Sequence, residues 1–207
     1  MRLDLREHEC GLSRRAAVAI LAAPAAGGTL VAAGAADDSL YRTLVREDAL
    51  LEWLQVLLWV AAFVFAVVLV GRTSGRERVA WAVFALGALA ALGEELAWGQ
   101  RIVGFSTPDA LADGDKQDEA AIHNVRELEA PTRLAVAAVA AAGCAAAWTT
   151  VRVPRCLTGA FALVAGYEVL RVAAGESPPY WFAKWSEWPE TCFAGALAAV
   201  AGLTFRR

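Results

Sequence analysis

The chain has 207 residues, 58% of them hydrophobic and 20% charged, with a mean hydropathy of +0.45. A soluble domain of this size is complete with roughly 45–50% apolar residues, whereas a membrane-crossing helix takes about 20 mostly apolar residues, so the surplus furnishes roughly six such helices. This composition excludes a disordered chain, a disulfide-stapled secreted domain and an ordinary soluble enzyme, and a net charge of −3 without an evident basic face argues against a nucleic-acid partner.

In chain order, residues 1–15 form a charged tail, and residues 16–36 a first apolar stretch built mainly of Ala and Gly. This stretch has two readings. Ser13-Arg14-Arg15, an apolar run and Ala33-Gly34-Ala35 resemble a twin-arginine signal with a small-residue cleavage site. The apolar residue and Lys usual after such an arginine pair are replaced by Ala16, Ala17, Val18 and Ala19, which favours a retained helix. Five clearer stretches follow at about 50–70, 79–97, 134–150, 157–174 and 191–205. Hydrocarbon offers backbone groups no water to bond, so each span is expected to be a helix. The expected fold is therefore an all-α polytopic transmembrane bundle of about six helices, a single domain over 16–207. One long outer loop, 99–131, is expected to carry short helices, among them Pro108–Ala112 behind a Thr107 cap.

Charge sets the orientation. With the N-terminal tail inside, the inner segments carry 11 basic and 4 acidic residues, and everything else carries 8 basic and 18 acidic. Positive charge inside is the general bias, so both termini are expected to be cytoplasmic. Trp53, Trp98, Trp181, Trp185 and Trp188 fall near the outer interface and Trp148 near the inner one, as an aromatic belt predicts. Trp59 and Trp81 do not fit that belt. Cys10, Cys144, Cys156 and Cys192 lack paired metal spacing and read as small packing residues.

The informative residues are polar ones where a membrane makes them costly. Asp48, Glu52, Gln55 and Trp59 follow 4, 3, 4 spacing and share one helical face. Charges at mid-depth cost about 2.5–3.5 kcal/mol each on insertion scales, so this stripe should face the bundle interior. At the end of the third span, Glu94 and Glu95 point about 100° apart on a helix, and Glu94, Trp98 and Arg101 would share a face. The outer loop holds Glu119, His123 and Asn124. Glu168 and Arg171 have the spacing of an internally compensated pair. Glu187 and Glu190 open the last span, where acids also suit a helix dipole.

Four parts of the chain thus bring carboxylates to one membrane side. Carboxylates with an imidazole form a hard, oxygen-rich set suited to a divalent metal ion. Glu94, Glu95, His123 and Glu190 are the candidate metal ligands. Glu52 and Glu187 are the candidate general acid and base, and Trp98, Gln100, Arg101 and Asn124 the candidate substrate-binding residues, Arg being well shaped for a phosphate.

These residues resemble a family of uncharacterised bacterial multi-pass membrane proteins over roughly Tyr41 to Thr191. The matching positions are Glu47, Asp48, Glu52 and Trp53; Glu94, Glu95, Trp98, Gly99, Gln100 and Arg101; Thr107 and Pro108; Gln117, Glu119, His123 and Asn124; and Ser186, Glu187 and Glu190. Ala97, Asp118 and Ala121 stand where the family pattern has Ser, Gly and Asn. The resemblance implies a bacterial inner-membrane protein with its motifs on one side, and names a site without naming a reaction. Three functions follow as expectations. The preferred one is an enzyme acting on a lipid or lipid-linked substrate at the outer face, with a metal-free acid-catalysed isoprenoid cyclisation as its variant. The others are a proton- or cation-coupled transporter, and a noncatalytic scaffold or sensor.

Overall fold

The computed structural model describes residues 14–34, 50–104, 126–149, 153–175 and 178–206. Among them the chain is all-α, with short turns between the helices, and contains no strand. Six long helices are α1 (Arg14–Gly34), α2 (Leu50–Arg72), α3 (Gly75–Glu95), α5 (Arg126–Thr149), α6 (Thr158–Ala173) and α8 (Glu187–Phe205). Two short ones are α4 (Gln100–Val103) and α7 (Tyr180–Lys184). Single 3-10 turns precede α4 at Ala97–Gly99 and α6 at Arg155–Leu157. Three stretches are long and apolar enough to cross a membrane: Leu50–Arg72, Leu128–Ala147 and Arg155–Ala173. In α1 the apolar helical stretch is shorter, Ala17–Thr29.

The helices lie side by side in the order α3, α2, α8, α6, α5, with α1 against both α6 and α8. Successive long helices alternate in direction. The ends at which α1, α3 and α6 finish therefore meet the ends at which α2, α5 and α8 begin. Two neighbouring pairs, α2 with α8 and α1 with α6, consequently run parallel. The core between α2, α6 and α8 centres on Phe193, whose ring meets Trp59 at 6.0 Å and Phe161 at 6.3 Å, both edge-on at 79°. Edge-to-face contact of this kind adds about 0.5–1.5 kcal/mol beyond burial. Toward the opposite end, Leu69, Trp81, Ala85 and Ala201 close a second cluster, and the Arg72 guanidinium sits 4.3 Å over the Phe205 ring. Trp59 and Trp81 are thus core residues rather than interfacial anchors.

α3 starts at Gly75 rather than near 79. Two further boundaries depart from the sequence reading: α5 starts at Arg126 rather than near 134, and α8 starts at Glu187 rather than 191. In both cases a proline lies near the start: Pro189 is in the first turn of α8, where no helical hydrogen bond is lost, whereas Pro131, sixth in α5, gives up one bond in the second turn. Both extensions carry charged residues onto helices whose apolar stretches begin later. The expected helix Pro108–Ala112 lies outside the described residues.

Small residues set how closely α1 approaches. A Cβ on Gly159 would run into the backbone carbonyl oxygen of Leu21, and one on Gly28 would lie 2.9 Å from the Trp185 ring. The Trp185 indole N–H donates to the Gly28 carbonyl at 3.0 Å, and the Trp188 N–H to the Pro24 carbonyl at 2.7 Å. Trp185 and Trp188 are therefore fasteners between α8's approach and α1, not only members of an aromatic belt. Gly159→Val is expected to cost about 2 kcal/mol or more, through overpacking against a backbone atom. Gly166→Ala, on the same helix with open space around it, is expected to be neutral or to stabilise by up to about 1 kcal/mol. Thermal unfolding of the two variants in detergent checks the contrast.

Candidate functional site

The alternation of helices brings polar residues of five elements to one end of the bundle: Glu52 and Gln55, Glu94 and Glu95, Glu129 and Arg133, Glu168 and Arg171, Glu187 and Glu190. They form three groups.

The first joins α2 to α8. Gln55 is completely buried, and its Nε2 donates to both the carboxylate of Glu187, at 3.0 Å, and that residue's backbone carbonyl, at 3.2 Å. Thr191 donates to the same carbonyl at 2.6 Å. Only an amide nitrogen can face two acceptors, so the orientation of the Gln55 amide is fixed and its Oε1 points away from Glu187. That oxygen is buried without a hydrogen-bond partner, a condition that costs about 1–3 kcal/mol. Glu52 lies one turn earlier on the same helical face, half-buried.

The second group is a tight turn after α3. Ala97 and Trp98 take left-handed backbone angles, φ 45° and 52°, followed by Gly99 at 96°. Left-handed residues without glycine are strained by about 1–3 kcal/mol and persist where their surroundings fix them. Here Ala97 is fully buried, and the Trp98 indole N–H donates to Glu94 Oε1 at 2.6 Å, a charge-assisted bond. The Trp98 ring lies where a Cβ on Gly93 would come within 2.9 Å of it. The chain therefore leaves the helix at Glu95. The expected face shared by Glu94, Trp98 and Arg101 does not continue as helical spacing implied. Trp98 nonetheless reaches Glu94, by folding back. Gln100 and Arg101 open α4.

The third group lies between α5 and α6 and was not legible as a site. Glu129 Oε1 accepts from Arg133 Nε at 3.3 Å and from Arg171 at 3.1 Å, while Arg133 donates to Glu168 at 3.0 Å. Glu168 and Arg171 do not pair along their own helix; each finds its partner across the interface on α5. The antiparallel register runs from Arg171 opposite Glu129, through Glu168 opposite Arg133, to Thr158 beside Cys144. Tyr167 donates its hydroxyl to the carbonyls of Phe182 and Ala183, at 3.0 and 3.2 Å, tying α6 to α7. Glu190 lies within electrostatic reach of Arg133 and Tyr167. Consequently Glu187 and Glu190, one turn apart on α8, serve different neighbours. Glu129 and Arg133 were missed because hydropathy placed them before the span. The available signal was their i, i+4 spacing immediately ahead of Leu134.

Of the candidate metal ligands, Glu94 is engaged by Trp98, Glu95 is half-buried at the last position of α3, and Glu190 faces the third group. His123 and Asn124 lie outside the described residues. Among the described residues, no group of three His, Cys, Asp or Glu side chains gathers as a metal-holding set. Cys144, Cys156 and Cys192 carry free thiols. Comparison of the chain with protein-family models, with curated proteins and with solved structures gives no match.

The α5–α6 network predicts a particular non-additivity. Glu168→Leu leaves the Arg133 guanidinium short of a partner in a largely buried place, and is expected to cost about 3 kcal/mol. Adding Arg133→Met should recover most of that loss, because a buried pair replaced by apolar groups is often neutral; a double-mutant cycle by unfolding in detergent measures it. At the turn, Trp98→Phe keeps a ring over Gly93 but removes the N–H, and a loss of about 1 kcal/mol is expected in the same assay.

Proposed function

We propose that the protein is a multi-pass protein of the bacterial cytoplasmic membrane, with both termini cytoplasmic and the polar helix ends at the outer face. At that depth the polar end acts on the head group of a lipid or lipid-linked substrate. Glu52 and Glu187 serve as general acid and base, and Trp98, Gln100, Arg101 and Asn124 bind the head group. The observation that carries this reading is the Gln55–Glu187 junction. A fully buried amide inside an apolar span, bonded to a carboxylate, with Glu52 one turn away, is an expensive arrangement that marks functional positions in membrane proteins.

Glu94, Glu95, His123 and Glu190 remain the proposed holders of a divalent ion, which would supply Lewis-acid assistance at a polar head group. Glu94 accepts the Trp98 N–H through one of its carboxylate oxygens. Retention of residues 16–36 is part of the proposal, and the indole bonds onto Pro24 and Gly28 support it.

A second reading is a noncatalytic scaffold or sensor. The third group favours it: two arginines and two glutamates pair across the interface and specify the α5–α6 register.

The two readings separate on one preparation. Protein extracted in mild detergent is expected to carry a lipid or lipid-linked species enriched several-fold over the bulk membrane extract by mass spectrometry. The enriched species should change in amount or identity in a Glu52→Gln, Glu187→Gln double variant. A lipid profile identical to the bulk extract, in wild type and variant alike, overturns the head-group reading and leaves the scaffold.

A further inference from the structure

At the end of the bundle opposite the carboxylates, the arginines stand differently. Residues 72–78, where α2 turns into α3, contain Arg72, Arg76 and Arg78 against the single acid Glu77, and α8 ends beside them at Phe205 and Arg206. All four arginines are exposed. At the polar end Arg133 and Arg171 are each met by a carboxylate, whereas among the described residues none of these four is. Two of them are nevertheless held in place. The Arg72 guanidinium lies 4.3 Å over the Phe205 ring, itself 5.6 Å from the Phe65 ring, and Arg78 Nε donates to the Thr73 carbonyl at 2.9 Å. The turn between them is open: a Cβ on Gly75 would meet nothing within 4 Å. Arg72 is also the last residue of an apolar helix of membrane-crossing length, and the stretches of α2 and α3 that lead to the turn expose Val64, Val68, Val79 and Val83. Fixed positive groups therefore stand at the rim of an exposed apolar surface, the depth at which lipid phosphates lie.

We propose that Arg72 and Arg78, with Arg76 and Arg206 beside them, form a seat for the head group of an anionic phospholipid. A guanidinium presents paired N–H donors that match phosphate oxygens. Stacking on Phe205 uses one face of the Arg72 guanidinium and leaves its N–H edge for the phosphate, so the two contacts do not compete. Arg78 spends Nε on the Thr73 carbonyl and keeps its terminal nitrogens. Holding both side chains beforehand lowers the ordering cost of capture, and the acyl chains run along the valines of α2 and α3. A zwitterionic lipid carries its own cation beside the phosphate and gains less from the arginines. A soluble anion gains nothing from the valines. The seat lies at the opposite end from the head-group chemistry and does not depend on it; it requires only that the bundle cross a membrane.

The test uses the full chain in nonionic detergent, titrated with phosphatidylglycerol and phosphatidylcholine together and read by native mass spectrometry. The first lipid retained should be phosphatidylglycerol, with an apparent affinity several-fold above that of phosphatidylcholine. Arg72→Gln and Arg78→Gln are each expected to weaken it about fivefold. Arg15→Gln, which removes an exposed arginine at the same end but on α1, should leave it unchanged, as should the Glu52→Gln, Glu187→Gln double variant, so this result and the head-group result are read separately. Thermal unfolding distinguishes the source of the phosphate: phosphatidylglycerol in the micelles should raise Tm, and inorganic phosphate at the same ionic strength should not. Equal retention of the two lipids by the wild type, which needs no variant to fold, overturns the proposal. So does an affinity unchanged in the Arg72→Gln, Arg78→Gln double variant. An equal loss in Arg15→Gln replaces the seat with a diffuse positive field, and an equal Tm rise with inorganic phosphate replaces the lipid with a soluble anion.

Discussion

A charged or strongly polar side chain carried on an otherwise apolar helix has to find its partner inside the bundle, because the alternative surroundings do not solvate it. That constraint accounts for most of what distinguishes this fold from six apolar rods. Arg133 and Arg171 reach Glu168 and Glu129 across the α5–α6 interface, and Gln55 reaches Glu187 across the α2–α8 interface. Each of these contacts fixes a register. An apolar interface of alanines and valines tolerates sliding by a turn, whereas an arginine that loses its carboxylate does not. The ionic groups therefore specify the arrangement more than they stabilise it, in keeping with the large desolvation cost of buried ion pairs.

The small residues and the polar ones divide the work. Gly159 and Gly28 let α1 approach until backbone meets backbone or ring, and the indoles of Trp185 and Trp188 then bond to carbonyls that already sit within a helix. Close approach without the indole bonds would leave α1 held by dispersion alone. Indole bonds without the glycines would be sterically blocked. The same pairing of glycine and Trp recurs at Gly93 and Trp98, where the ring covers the glycine and the N–H secures the turn. In each case an apolar ring body fills space while a single donor sets its direction.

The polar end carries three groups with different characters. The α5–α6 network pairs Arg133 and Arg171 with Glu168 and Glu129 across the interface, with Glu190 adding a third carboxylate nearby. The turn at Ala97 and Trp98 stores backbone strain that a buried methyl and a short hydrogen bond hold in place. The Gln55–Glu187 junction leaves an acceptor unmet inside an apolar span, and the functional reading leans on it; the α5–α6 network likewise keeps one buried donor, Arg171 Nε, without a partner. A count of carboxylates at one end does not by itself distinguish a site from a decorated surface.

Much of this could be read from the chain itself. The apolar stretches located all six long helices, and their alternation placed the acids of Glu52, Glu94 and Glu187 at one end, since direction reverses with each helix whatever the packing. Helical periodicity put Gln55 and Trp59 on one face, and the structure buries both. Pairing was another matter. Glu168 and Arg171, three apart, read as partners of each other, yet the neighbouring helix offers Arg133 and Glu129 at shorter reach, and hydropathy had left those two outside the span. The return of Trp98 onto Glu94 depends on a left-handed turn that helical spacing cannot foresee. The contact between Gln55 and Glu187, 132 positions apart, requires that α2 and α8 be neighbours. Periodicity along one helix reports which residues share a face, because that follows from local geometry. Which helix that face meets is decided by how all the helices pack at once, and only the tertiary structure carries it.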